Sequence, residues 1–224
     1  MIKIENIIAP SFSQWKAVIR GMRNPMNSWA KSDSEVCYSD EVNEPFVDIG
    51  EADMALMRKL AKAGSDHRKF LRQLPVIMDV TAPLFFWKEE DQYKVGTVTN
   101  SCSTMHTIHI SELTLDDFSL ETCRDLDAQV KNHTVIFGMG PYLGMMIDMV
   151  DKLRNAYVET KNEFYWRALI EILPSSFNQK RTLSCNYEVL WNMYQARKNH
   201  KLKEWRTFCE TIENEVPHFK EILL

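Results

Sequence analysis

The sequence predicts an α+β fold, on three observations. Short alternating or β-branched runs stand at 2–8, 76–81, 105–110 and 177–185. Helical periodicity fills 51–63, 139–160, 163–173, 186–197 and 201–213. The order of these elements is not a clean βαβ alternation, and no G-x-G-x-x-G follows a strand, so a Rossmann sheet is disfavoured.

The 224 residues, 45% hydrophobic and 26% charged, suffice for one globular domain over 1–224 with a buried core. A net charge of -4 and a pI near 5.9 do not suit a chain that neutralises many phosphates, so nucleic acid is not an expected partner. A small anion held by a few placed cations remains compatible with that charge. Five cysteines, an odd number with no C-x-x-C pair, read as reduced thiols of a cytoplasmic protein. MIKIENII lacks the basic start and long apolar stretch of a signal peptide. No run approaches the ~20 apolar residues of a membrane span. No internal repeat is visible.

Ile2–Ile8 reads as a strand. Ser11-x-x-Gln14 is a capping-box pattern opening a helix that ends near Gly21. Arg23–Pro45 is loop-like, with Trp29 expected as a buried anchor. In Glu51–Ala63, Met54, Met57, Leu60 and Ala61 follow helical spacing, and Gly64 stops the helix. Ser65–Asp66 then caps a helix over His67–Leu74. Val76, Met78 and Val80 alternate along a strand, and Pro83 is expected in the first turn of the next helix with Thr81 as cap. Met105–Ile110 reads as a strand that puts His106 and His109 on opposite faces, so the pair cannot chelate one metal; no metal site is expected. Ser119–Asn132, Met139–Thr160 and Glu163–Leu173 read as helices. Gly140-x-x-x-Gly144 permits close helix approach, and the Met stripe at 139, 145, 146 and 149 suits a core or a subunit seam. Phe177–Cys185 is strand-like, Asn186 opens a helix through Arg197, and Lys201–Glu213 makes the last long helix.

Two stretches carry the candidate chemistry. In APLFFWKEEDQYKVGTVTNSCSTMH, residues 82–106, an apolar helix gives way to a long small-polar segment. Such a segment suits either a loop that cradles a phosphate or planar ligand, or a solvated turn. Cys102 lies in it, as a possible nucleophile or a small buried residue. In the second stretch, 173–206, Asn186 and Arg197 lie about three helical turns apart and share a face, with Asn192 roughly a third of a turn away. That arrangement suits a ligand clamp or a structural ion pair of Arg197. HExxH, P-loop, nucleophile-elbow and paired-cysteine motifs are all missing, so a bound cofactor is the expected carrier of any reaction.

Together the two stretches resemble the flavin-dependent thymidylate synthases, whose signature reads R-H-R-x-x-S-x-N-x-x-S-x-R after a strand and an A-P-led helix. Ala82–Pro83 matches that start. Tyr93–Lys94–Val95–Gly96–Thr97 is similar to the H-R-x-x-S portion, and Asn100 and Ser103 match N-x-x-S if one residue is inserted near Thr99. LAKAGSDHRKF resembles the family's Gly-His-x-x-x-F segment, with His67 on the His. LPSSFNQKRTLSCNYEVLWNMYQAR resembles its L-P…N-x-x-x-L-x-N-x-x-x-x-R block, through Asn186, Asn192 and Arg197.

The resemblance implies a twisted antiparallel sheet flanked by helices, of the thymidylate synthase-complementing protein type, in a homotetramer. It implies methylation of dUMP with FAD as cofactor and NADPH and methylene-tetrahydrofolate as co-substrates. Arg197 would be catalytic, contacting the uracil ring. His67, Gln92, Tyr93, Lys94, Thr97, Asn100, Asn186 and Asn192 would hold FAD; Lys88, Glu89, Ser101, Ser103 and Arg197 would meet the nucleotide. The chain departs from the signature where Gln92, Tyr93 and Lys94 replace Arg, His and Arg, where Thr104–Met105 replaces the last Arg, and where Ile170 replaces another family Arg. Losing two charged hydrogen bonds costs about 3–6 kcal/mol, or on the order of 10²–10⁴ in affinity. Lys88, Lys94, Arg167, Lys180 and Arg181 are the cations at hand to compensate. The alternative is a non-catalytic or repurposed flavin- or nucleotide-binding relative of the same fold.

Overall fold

The structure, a computed structural model, describes residues 2–38, 45–129 and 139–224, with only the backbone given over 126–129. Its strands are β1 (Lys3–Ile8), β2 (Glu35–Tyr38), β3 (Pro45–Asp48), β4 (Pro75–Pro83), β5 (Val98–Ser101) and β6 (Asn178–Asn186). Its helices are α1 (Phe12–Arg23), α2 (Glu51–Lys62), α3 (Leu84–Glu90), α4 (Thr104–Thr107), α5 (Glu121–Gln129), α6 (Met139–Thr160), α7 (Glu163–Ile172), α8 (Tyr187–Arg197), α9 (Lys203–Glu215) and α10 (Phe219–Leu223). An antiparallel sheet in the order β1-β4-β6-β5 is flanked by helices, and β2 and β3 form a separate hairpin. Asp79 ties three strands, accepting from Asn6 Nδ2 at 3.0 Å and from Thr182 Oγ1 at 2.6 Å. Among the described residues no helix is long and apolar enough to cross a membrane.

Contacts divide the chain into two compact units. One comprises Ile4–Asp79, Tyr93–Thr99 and Thr182–Leu224. Its core is aromatic: Trp15 meets Tyr187 edge-on at 5.7 Å, and Tyr187, Trp205, Phe208 and Phe219 are almost fully buried. The Tyr187 hydroxyl donates to the Pro217 carbonyl at 2.6 Å, which satisfies the one polar atom of that buried ring. Beneath α1 and α2 lies a buried ion pair, with Arg23 Nε 2.6 Å from Asp53 Oδ1. The other Asp53 oxygen accepts from the Ser32 and Ser34 hydroxyls, each at 2.7 Å, and from the Asp33 and Ser34 amides, each at 3.2 Å. Burial alone would raise the Asp53 carboxyl; the hydrogen bonds from Ser32, Ser34 and Arg23 hold it below its ordinary value.

The other unit comprises the residues up to Lys3, Val80–Gln92 and Asn100–Arg181. Ile108, Leu113, Val150 and Leu169 form one of its cores, and Phe118, Leu120 and Leu143 another, with Phe177 packed against both. Of the thiols, Cys102 is exposed, while Cys185 and Cys209 are buried. Burial pushes the Cys209 thiol up to about 12.

The structure corrects several expectations. Arg23–Pro45 holds two 3₁₀ turns, Asn24–Met26 and Trp29–Lys31, and strand β2. Trp29 is 49% exposed and spends its indole N–H on Asn24 Oδ1 at 2.8 Å, so it is not a buried anchor. His67–Leu74 forms a 3₁₀ helix over Arg68–Gln73 rather than an α-helix. Pro83 is the cap residue of α3, extended at ψ 154, with no side-chain cap. Met105–Ile110 is not a strand. The Ser103 carbonyl accepts from the His106 and Thr107 amides, each at 3.0 Å, and starts α4 there. Ile108 then turns into the core with Val150 and Leu169, so its β-branched neighbourhood reflects burial rather than a sheet. The methionine stripe divides: Met139 and Met146 pack inward, whereas Met145 and Met149 are exposed. Among the described residues nothing lies within 4 Å of a Cβ built on Gly144. Part of the expected Ser119–Asn132 helix lies outside the described residues. Helix α10 carries no caps strong enough to read from sequence.

Candidate functional site

Helix α8 and the loop over 93–97 assemble a site from opposite ends of one rod. At the N-terminal end, Asn186 is extended at φ -141 and ψ 171, and its side-chain oxygen accepts from the Val189 amide at 3.1 Å. It is therefore a helix cap, whatever else its amide does. Gly96 lies against this end. Its φ is +81, and a Cβ there would stand 3.0 Å from Val189 Cγ2 and 3.4 Å from Asn186 Nδ2. Only glycine meets both demands without strain. The Thr97 hydroxyl donates to the Tyr93 carbonyl and closes the turn.

Tyr93 reaches the other end, where its hydroxyl accepts from Arg197 Nε at 3.0 Å. The Arg197 guanidinium lies 4.8 Å from the Trp205 ring centroid and 5.7 Å from that of Tyr93. Its Nη1 is 3.1 Å from His200 Nε2. A half-buried cation between two aromatic faces keeps its charge while losing part of its water. Such a group can orient a planar, electron-rich or anionic ring.

The same unit carries the other predicted ligands of this region. Lys94, Asn192 and His67 are exposed. Arg68 and Arg72, beside His67, both pair with Glu188, the former at 2.9 Å. The Arg72 hydrogen bond leads in holding the Glu188 carboxyl below its ordinary value. One carboxylate thus holds two guanidiniums, and the cluster keeps one net positive charge.

Lys88, Glu89, Gln92, Asn100, Ser101 and Ser103 fall in the second unit. Lys88, Gln92, Asn100 and Ser101 are exposed; Glu89 and Ser103 are half-buried. Here Arg181 stacks on Trp87 at 4.4 Å, pairs with Asp91 at 2.6 Å and donates to Gln179 Oε1 at 3.0 Å. Trp87 in turn donates to the Gln179 carbonyl at 2.9 Å. Gln179 Nε2 holds the Cys102 carbonyl at 2.9 Å and Thr104 Oγ1 at 3.2 Å. A cleft of about 260 Å³ opens here, lined by Thr81, Cys102, Thr104, Asp117, Gln179 and Lys180 among others. Cys102 Sγ lies 3.5 Å from Thr107 Oγ1.

Two expected compensating cations are therefore engaged. Arg181 belongs to Asp91, Gln179 and Trp87, and Arg167 pairs with Glu171 at 2.9 Å on the exposed face of α7. Sequence reasoning missed Trp205, His200 and Glu90. The three-residue step from Arg197 to His200 was the available signal for the second; Trp205 shares the buried period of Phe208, Cys209 and Ile212.

Glu90 is 3% exposed, and burial, with Asp91 beside it, raises its carboxyl from 4.5 to about 7 despite Arg181. In the fold it holds its proton where the unfolded chain has released it. Stability from this group is present below about 4.5 and is lost as pH rises through about 7. Glu90→Gln is expected to raise unfolding free energy by roughly 3 kcal/mol at pH 8 and by little at pH 4, measured by urea titration at both values. Equal effects at the two pH values would contradict the assignment.

No family model and no curated protein matches this chain. Solved structures do. Thymidylate synthase X (ThyX) from Helicobacter pylori with FAD and dUMP is similar at 14% identity with a TM-score of 0.64, covering 99% of this chain and 95% of that one. A second structure, flavin-dependent thymidylate synthase ThyX from Helicobacter pylori complexed with FAD and dUMP, is similar at 16% identity and a TM-score of 0.64, covering 98% and 97%. The likeness is one of fold, and it runs the length of both chains.

Proposed function

We propose that residues 1–224 form one flavin-dependent thymidylate synthase-like domain that methylates dUMP to dTMP, with methylene-tetrahydrofolate as carbon donor and NADPH as reductant. The observation that carries this reading is the end-to-end fold likeness to proteins solved with FAD and dUMP. The convergence of Tyr93, Gly96, Asn186 and Arg197 along α8 supports it.

The residues fit a flavin nucleotide. Gly96 lets the loop backbone close onto α8, and exposed Lys94, His67 and Asn192 offer a mobile cation and polar donors in the same unit. FAD, when bound, supplies the hydride. His67, Gln92, Tyr93, Lys94, Thr97, Asn100, Asn186 and Asn192 are its proposed ligands. Lys88, Glu89, Ser101, Ser103 and Arg197 are the proposed nucleotide ligands. Arg197 favours the ionised uracil ring by presenting a fixed cation to it. A lysine replaces the second arginine of the signature, so phosphate is met by a point charge rather than a fork. The reading carries a cytoplasmic homotetramer with no nucleic-acid or membrane partner.

A second reading is favoured by a specific observation: Arg197 is already engaged by Tyr93, Trp205 and His200, and Arg181 by Asp91. On it, the fold persists in a non-catalytic or repurposed flavin- or nucleotide-binding relative. The visible absorption spectrum of the purified protein, titrated with FAD and then dUMP, tests binding on the first reading, and dUMP-dependent NADPH oxidation separates the two. A flavin spectrum that shifts on adding dUMP is expected; a protein that takes up no FAD supports the second reading.

A further inference from the structure

Helix α1, the segment 29–34 and the β2–β3 hairpin line an open cavity of about 220 Å³ that shares no residue with the candidate site. Ile19, Trp29, Val36 and Val47 supply apolar walls, and Lys16, Arg20, Arg23, Ser32, Ser34 and Glu35 supply the polar atoms. The volume falls below the roughly 300–1,000 Å³ of drug-sized pockets, so it suits one or two rings and excludes a dinucleotide.

Charge narrows the class further. Arg23 is 4% exposed and neutralised by Asp53. Among the described lining residues, exposed Lys16, Arg20 and Glu35 are the other charged groups, with one net positive charge between them. Arg23 itself spends Nε on Asp53 and Nη1 on the Ser28 carbonyl at 3.3 Å. Its Nη2 is buried with no hydrogen-bond partner among the described residues. A donor left in this state is costly, and an acceptor that reached the Arg23 guanidinium would relieve it. Half-exposed Trp29 offers an aromatic face beside these cations.

We infer that this cavity binds a small aromatic monocarboxylate, its ring between Trp29, Ile19 and Val47 and its carboxylate toward Lys16, Arg20 and Arg23. The apolar walls discriminate against inorganic anions, which gain nothing from them, and the cations discriminate against neutral rings.

Isothermal titration of the full chain with 2-naphthoate, 2-naphthamide and inorganic phosphate tests the assignment. Saturable 1:1 binding of the naphthoate is expected, with the amide at least tenfold weaker and no measurable phosphate binding. The exposed double variant Lys16→Ala/Arg20→Ala is expected to lose at least tenfold in naphthoate affinity with an unchanged circular dichroism spectrum. Trp29→Ala is expected to weaken the acid and the amide together. Equal affinity for acid and amide, wild-type affinity in the double variant, or no saturation at millimolar naphthoate would each overturn the proposal. Because none of these residues is among the proposed flavin ligands, a failed flavin titration leaves the test intact.

Discussion

Asp53→Ala is expected to lower the free energy of unfolding by about 3–5 kcal/mol, among the largest losses available to a single substitution in this chain. The reason is asymmetry. The carboxylate is fully buried and accepts from a guanidinium, two hydroxyls and two amides. Removing it strands a 4%-exposed arginine as an uncompensated charge and leaves four further donors without their acceptor. Replacing both ions by apolar residues, Arg23→Met with Asp53→Leu, is expected to recover much of the arginine's share, because neither charge then needs desolvating. Urea titration of both variants decides it. A loss below about 1 kcal/mol in Asp53→Ala would mean that water reaches the pair in solution. The Asp53 carboxyl sits below its ordinary value, so its contribution is present at neutral pH and is lost only as pH falls through that lowered folded-state value.

Arg197→Ala is expected to abolish dUMP-dependent NADPH oxidation while leaving the fold intact. The fold should survive because the side chain is half-buried and its packing rests mainly on Trp205 and Tyr93, contacts worth about 0.5–2 kcal/mol. Activity should not survive, because the proposed chemistry needs a fixed cation at the ring, and loss of one such group typically costs about 10²–10³ in rate or more. Tyr93→Phe gives the informative contrast. The Tyr93 hydroxyl occupies Arg197 Nε at 3.0 Å and so competes with any ligand for it. Removing that hydroxyl is expected to tighten dUMP binding by about tenfold, the value of one modest hydrogen bond. Retained turnover in Arg197→Ala would count heavily against the role assigned to this guanidinium.

The fold was legible where local signals agreed. Glu51–Lys62 and Met139–Thr160 follow the 3.6-residue period along their length, and β4 alternates Val76, Met78 and Val80 inward as its pattern requires. Asn186 as the start of α8 was legible because a cap and a buried stripe coincide there. Reading failed where burial and β-propensity pull the same way: Ile108 and Ile110 look like a strand, yet the first is a core residue beside a single helical turn. The candidate site was legible in part. Arg197 and Asn186 share one helix, and Tyr93 and Gly96 one tight turn, and each of these local groupings was readable. That Tyr93 would engage Arg197, or that Asp91 would engage Arg181, was not, since both pairings join residues about a hundred positions apart. No pattern in a single sequence encodes such a distance.

The uneven burial of the thiols makes the chain its own unfolding reporter. Cys102 stands exposed, whereas Cys185 and Cys209 are enclosed and the latter is held as an unreactive thiol by burial. A short maleimide pulse on the native protein therefore tags residue 102 ahead of the two enclosed positions, and later tagging of Cys209 keeps time with opening of the aromatic core around α9. The same protein thus carries both a surface handle and an internal clock, without any engineered residue.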